Sequence, residues 1–131
     1  NSKEGRISFT TDSKIGLEQA LFCFIAVGTP QCGDGSADLY YIFTVAREIG
    51  RCMNGYLLIV VKSTVPVGTI EKVRDVIKGE LQVRGKEDLE FEIASNPEFL
   101  REGTAVKAFM FPDRIVIGTD KAETAEMMKL L

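Results

Sequence analysis

The sequence predicts an α/β fold: a Rossmann-like, mostly parallel sheet with flanking helices. Three observations predict it. Short continuous apolar runs recur along the chain and end in turn residues, as strands buried on both faces require. Between them, apolar residues recur at helical spacing. The resulting order of strand, helix, strand, helix builds βαβ units with right-handed crossovers.

The elements follow in order. Ile7 to Phe9 is a candidate short strand, and Thr10 to Leu21 carries only a weak helical signal. Leu21 to Val27 (LFCFIAV) is the first buried strand, closed by Gly28-Thr29-Pro30. Gly33-Asp34-Gly35-Ser36 forms a loop, and Asp38 is the expected N-cap of a helix. That helix carries Leu39, Ile42, Phe43, Ala46, Ile49 and Met53 on one face and stops at Asn54-Gly55. Leu57 to Val61 (LLIVV) is the second strand. It leads through Lys62 to Gly68 into a helix with Ile70, Val73, Ile77 and Leu81 inward, ended by Gly85. Phe91 to Ala94 is the third strand and Leu100 to Phe109 a short helix. Ile115 to Ile117 is a fourth strand, and a last helix begins near Asp120 or Lys121. No linker, repeat or low-complexity tract divides residues 1–131, so one layered unit is expected.

Composition removes several chemistries. The chain has 131 residues, 45% hydrophobic and 27% charged, with net charge −3. That is globular composition, and no basic stripe points to nucleic acid or an anionic membrane. With 0 histidines, triads that use imidazole, imidazole zinc sites and imidazole pH switches are excluded. Cys23, Cys32 and Cys52 are odd in number and show no Cys-x-x-Cys spacing, so neither a disulfide framework nor a thiolate metal site is indicated. A reducing cytoplasm fits that usage. No apolar run approaches the length of a membrane span, and no signal peptide is apparent.

Ligands of open parallel sheets bind outside the carboxyl ends of the strands, where three loops stand out. Val27-Gly28-Thr29-Pro30 either exposes backbone to a ligand or is a simple turn. In Lys62-Ser63-Thr64-Val65-Pro66-Val67-Gly68-Thr69, two hydroxyls precede a helix N-terminus. They serve a water or phosphate, or else Thr69 caps the helix and Ser63 bonds backbone. In Ser95-Asn96-Pro97-Glu98-Phe99-Leu100-Arg101-Glu102-Gly103, proline stiffens the turn that carries Glu98. Glu98 and Glu102 would share a face if the turn were helical, as an acid-base pair or as an acidic first turn. Pro112-Asp113-Arg114 precedes a strand, which places it at the opposite sheet end with a structural role.

These motifs, with Asp34-Gly35-Ser36-Ala37-Asp38-Leu39 and Asp113-Arg114-Ile115-Val116-Ile117-Gly118, resemble the UDP-glucose/GDP-mannose dehydrogenase family. Their order and spacing match it over nearly the whole chain, most strongly at Asn96-Pro97-Glu98-Phe99-Leu100. The resemblance implies oxidation of the C6 alcohol of a nucleotide sugar to a carboxylate, with NAD reduced. It implies that Val27, Gly28, Thr29, Pro30, Ser63 and Glu102 line the NAD site. Thr64 would orient a catalytic water, and Glu98 would handle that water's proton when a covalent thioester is hydrolysed. Phe99, Leu100 and Arg101 would contact the UDP-sugar. The family's glycine-rich phosphate loop has no counterpart here, since G-x-G-x-x-G is absent, and none of the three cysteines has the family nucleophile's glycine-rich surroundings. The chain is therefore expected to be the later part of the NAD-binding domain, without the first βαβ unit, a reading that its start at Asn1 and its end at Leu130-Leu131 fit. It is expected to be inactive alone and prone to self-association, and the parent to be a homodimer. UDP-glucose is the expected substrate. GDP-mannose or a UDP-N-acetylhexosamine is the alternative within the family, and a non-catalytic α/β binding or regulatory module is the alternative outside it.

Overall fold

The computed structural model describes residues 5–100 and 103–131. Eight elements run in the order α1 (Ser13–Leu17), β1 (Phe22–Ile25), α2 (Tyr40–Cys52), β2 (Leu57–Val61), α3 (Thr69–Val83), β3 (Phe91–Ser95), α4 (Ala105–Met110) and α5 (Ala122–Lys129). The strands form one parallel sheet in the order β1-β2-β3. Cys23 pairs with Ile59, and Ile59 with Ile93.

The apolar runs form strands because both sheet faces are covered. Strand side chains alternate between faces. Leu57, Ile59 and Val61 of β2 join Ile25, Phe91 and Ile93 beneath α2 and α3. Helix α2 contributes Ile42, Ala46 and Ile49 to that layer, and α3 contributes Val73, Ile77 and Leu81. Leu58, Val60 and Ala94 turn to the other face, where Met128 of α5 covers them. Phe24 lies on that second face and stays half exposed.

Helices α2 and α3 pack closely at Gly50. A Cβ there would stand 2.7 Å from the Glu80 Cβ and 3.0 Å from the Ile77 carbonyl oxygen. Arg84, just past α3, donates to the carbonyls of Gly50 (2.7 Å) and Met53 (2.9 Å) and to Asn54 Oδ1 (2.9 Å). It thereby satisfies carbonyls that the end of α2 leaves open. Exposed pairs such as Arg51–Glu80 at 3.0 Å add little beside this packing.

Several boundaries differ from the sequence reading. Leu39, not Asp38, occupies the cap position of α2, and Asp38 acts from one residue earlier by accepting from the Tyr40 N–H at 2.9 Å. Gly68, with φ of 84°, stands at the cap of α3, so Thr69 begins that helix without capping it. The short helix starts at Ala105, and residues 96–100 are irregular. Residues 7–9 pair with no strand, and Phe9 is almost fully exposed.

The fourth strand is also absent. Residues 115–117 run beside the sheet without a ladder, and Gly118 alone bridges Ser95, in antiparallel sense. A parallel strand must start back at the amino end of the sheet. The chain instead meets β3 at its carboxyl end, running the other way.

Two glycine substitutions test the packing account. Gly50→Ala should destabilise the protein by about 1–3 kcal/mol, because α2 and α3 would have to separate. Gly79→Ala, in exposed α3 with nothing within 4 Å of the new Cβ, should stabilise by about 0.5–1 kcal/mol. Denaturant titration measures both, and an unchanged midpoint for Gly50→Ala would refute the close contact.

Candidate functional site

The site is built where β1, β2 and β3 end together. Two side chains stitch those ends. Ser63, just past β2, is buried and donates its hydroxyl to the Val27 carbonyl at 2.6 Å. Asn96, just past β3, donates its backbone N–H to the Val61 carbonyl at 2.9 Å. Its side chain accepts from Lys62 Nζ at 3.0 Å and donates to the Val116 carbonyl at 2.9 Å. Ser95 and Gly118 exchange two backbone bonds of 2.8 and 2.9 Å beside it. A Cβ at Gly118 would stand 2.5 Å from Ser95 Oγ, so that hydroxyl would have to turn away.

Two hollows open at this edge. The larger, about 1310 Å³, is lined by Lys62, Asn96, Glu98, Phe99, Leu100 and Arg114 among others. The smaller, about 380 Å³, includes Ser63, Thr64, Ser95 and Gly118 in its wall. Pro97 belongs to both walls. Thr64 and Glu98 thus face adjoining hollows on either side of one proline, and both are exposed. Glu98 sits on irregular chain, and Glu102, with which it was expected to share a helical face, lies outside the described residues together with Arg101.

Phe99 and Leu100 share the larger hollow with Glu98. The Arg114 guanidinium lies 4.7 Å from the centre of the Phe99 ring, within range of a cation–π contact. Pro112, Asp113 and Arg114 therefore sit beside the Glu98 loop. This corrects their placement at the opposite sheet end, and the cause is the antiparallel return of residues 114–118.

Val27, Gly28, Thr29 and Pro30 lead away from β1. Gly28 is exposed, with nothing within 4 Å of where a Cβ would stand. Open backbone, the Thr29 hydroxyl and the lone pairs left on Ser63 fit one flank of a dinucleotide. The Ser63 proton is already committed to Val27, as the backbone-bonding reading of that residue has it. The next loop is closed by Asp34, which accepts from the Ser36 hydroxyl (2.7 Å) and N–H (3.0 Å). Those bonds hold its carboxyl below the usual range. Among the described residues no three His, Cys, Asp or Glu side chains group closely enough to hold a metal ion. Nor is any helix among them long and apolar enough to cross a membrane.

Lys62 and Asn96 are the site residues that sequence reasoning missed. Each sat inside a quoted motif, but only the approach of β2 and β3 shows that they bond. The cysteines stay outside the site. Cys23 lies within β1, Cys52 ends α2 in the core, and Cys32 is exposed on the loop. Burial pushes the Cys23 thiol up. Burial and then the Glu48 carboxylate do the same for Cys52.

The likenesses to known proteins are extensive. Residues 1–131 match the family model described as "UDP-glucose/GDP-mannose dehydrogenase family, NAD binding domain". The chain is 46% identical to a UDP-glucose 6-dehydrogenase of Rhizobium meliloti, over 94% of this chain and 27% of that protein. It is 44% identical to one from Bacillus subtilis, over 100% and 29%. Among solved structures, a UDP-glucose dehydrogenase from Pyrobaculum islandicum superposes with TM-score 0.85 and 43% identity, covering 97% of this chain and 29% of that one. A GDP-mannose dehydrogenase from Pseudomonas aeruginosa gives TM-score 0.86 and 40% identity, covering 98% and 30%. The chain spans 27–29% of the length of these curated relatives.

Thiol labelling checks the cysteine placement. Cys32 should react with a maleimide first, and Cys23 and Cys52 only on unfolding, because the thiolate is the nucleophile and burial suppresses it. Equal labelling of all three in the native state would refute it.

Proposed function

Since the chain belongs to the UDP-glucose/GDP-mannose dehydrogenase family, we propose that it is the later part of the NAD-binding domain of an enzyme that oxidises UDP-glucose to UDP-glucuronate. The observation that carries this reading is the clustering of Glu98, Phe99 and Leu100 on one hollow at the carboxyl end of the sheet. Identities of 46% and 44% to UDP-glucose 6-dehydrogenases support the choice of sugar. The GDP-mannose dehydrogenase at 40% identity keeps GDP-mannose as the second reading. Membership in a dehydrogenase family leaves the regulatory-module alternative without support.

When bound, NAD supplies a hydride acceptor for the sugar's C6. This chain's residues do the rest of what is proposed here. Val27, Gly28, Thr29, Pro30 and Ser63 line one flank of the NAD site, with Glu102 joining them. Thr64 orients a water. Glu98 takes that water's proton as the water attacks the thioester carbonyl, and a positioned carboxylate of this kind supplies roughly two to four orders of magnitude. The thiol that leaves belongs to a cysteine outside this chain. Phe99, Leu100 and Arg101 contact the UDP-sugar. The enzyme is cytoplasmic and homodimeric, and this chain alone self-associates through exposed apolar surface such as Phe24, Phe109 and Phe111.

The pyrophosphate of a dinucleotide needs a glycine-rich turn at a helix N-terminus, and G-x-G-x-x-G is missing here. Calorimetric titration of NAD into this polypeptide should therefore show no tight binding. A low-micromolar dissociation constant would sink that expectation. In a single turnover of the intact enzyme, Glu98→Gln should slow release of the acid product, followed by quenched flow, far more than formation of NADH, followed by absorbance. Equal loss in both would refute the base role, and a preference for GDP-mannose in the same assay would overturn the choice of sugar.

A further inference from the structure

We propose that Asn96 is a positioning residue for the hydrolytic step, pinning the carboxyl ends of β2 and β3 to residue 116 and thereby aiming Glu98. The inference rests on the reading of Glu98 as the carboxylate that serves the water. Asn96 is two residues before Glu98, with Pro97 between them. Three of its polar atoms are engaged. Its N–H goes to the Val61 carbonyl at 2.9 Å, its Oδ1 receives Lys62 Nζ at 3.0 Å, and its Nδ2 reaches the Val116 carbonyl at 2.9 Å.

The chemistry requires this residue type. One face of the side chain must accept from an ammonium and the other must donate to a carbonyl. A carboxamide does both from adjacent atoms. A carboxylate would set oxygen against the Val116 oxygen, and an aliphatic side chain would leave Lys62 and Val116 without a bond. The backbone completes the device. A residue before proline is confined to extended conformations, and Pro97 fixes its own φ. From the pinned amide to Glu98 the chain therefore has few free torsions, although residues 96–100 carry no regular secondary structure.

Lys62 is the second member. It is half-buried in the wall of the Glu98 hollow, and among the described residues no carboxylate stands within 4 Å of it. A neutral partner holds the ammonium in place on the same wall as Glu98. Small displacements of a reacting group are costly, since a misplacement of about 1 Å can lower a rate on the order of a hundredfold.

A double-mutant cycle in the intact enzyme tests the proposal, with product release and NADH formation measured separately within a single turnover. Asn96→Ala should slow product release about tenfold and leave NADH formation within about twofold. In the Glu98→Gln background the same substitution should add less than about twofold, because the group it aims is already disabled. Lys62→Met, which leaves both backbone bonds of Asn96 intact, should act in the same direction and serves if Asn96→Ala fails to fold. Equal slowing in both backgrounds, or equal slowing of both readouts, would show a merely structural residue and overturn the proposal. No slowing in the native background would overturn it as well. If Glu98→Gln alone leaves product release unchanged, the base reading fails first and this inference falls with it.

Discussion

The burial of β2 on both faces is the constraint on which the rest depends. Every side chain from Leu57 to Val61 is at most 2% exposed. A central strand of that kind needs a partner on each edge and a layer on each face. The edges come from β1 and β3. One face comes from α2 and α3, which are joined to the strands by crossovers and so must pack on the same side. On the other face Met127 and Met128 of α5 and Ile117 pack against Leu58, Val60 and Ala94, while Phe24 remains half exposed there.

The same constraint locates the chemistry. Parallel strands in register bring their carboxyl ends to one edge, and every loop with unusual residues leaves from that edge. Peptide groups at a strand end lose their ladder partners and must find others. Ser63 and Asn96 supply them, and in doing so fix the spacing between the loop after β1, the loop after β2 and the loop after β3. The stitching that satisfies the backbone is therefore also what sets Thr64 and Glu98 on the two sides of Pro97. Architecture and site geometry have one cause here.

Legibility varied with how local the cause was. The buried strands and the long helices α2 and α3 were readable because composition and period are local signals. The helix boundaries shifted by a residue or a few, at Leu39, Gly68 and Ala105, because caps depend on backbone angles as much as on residue type. The strand expected at residues 115–117 has the right composition, but the chain there approaches β3 from its carboxyl end, where Gly118 pairs with Ser95 in antiparallel sense. Its displacement carried Asp113 and Arg114 to the Glu98 loop, a position that a parallel reading could not give. Similarly, Ser63 and Asn96 were visible as polar residues at strand ends, but their partners lie 36 and 20 residues away.

The sequence by itself determined the layered α/β class, the two buried crossovers, the family motifs and the exclusion of imidazole chemistry. Each of these follows from residue type and short-range period, which tertiary contacts cannot alter. Only the tertiary structure decided which strand ends are tied together, that the chain after α4 comes back antiparallel, and that Lys62 and Asn96 share a wall with Glu98. Those outcomes depend on pairing between residues distant in the chain, which is not written in any one motif.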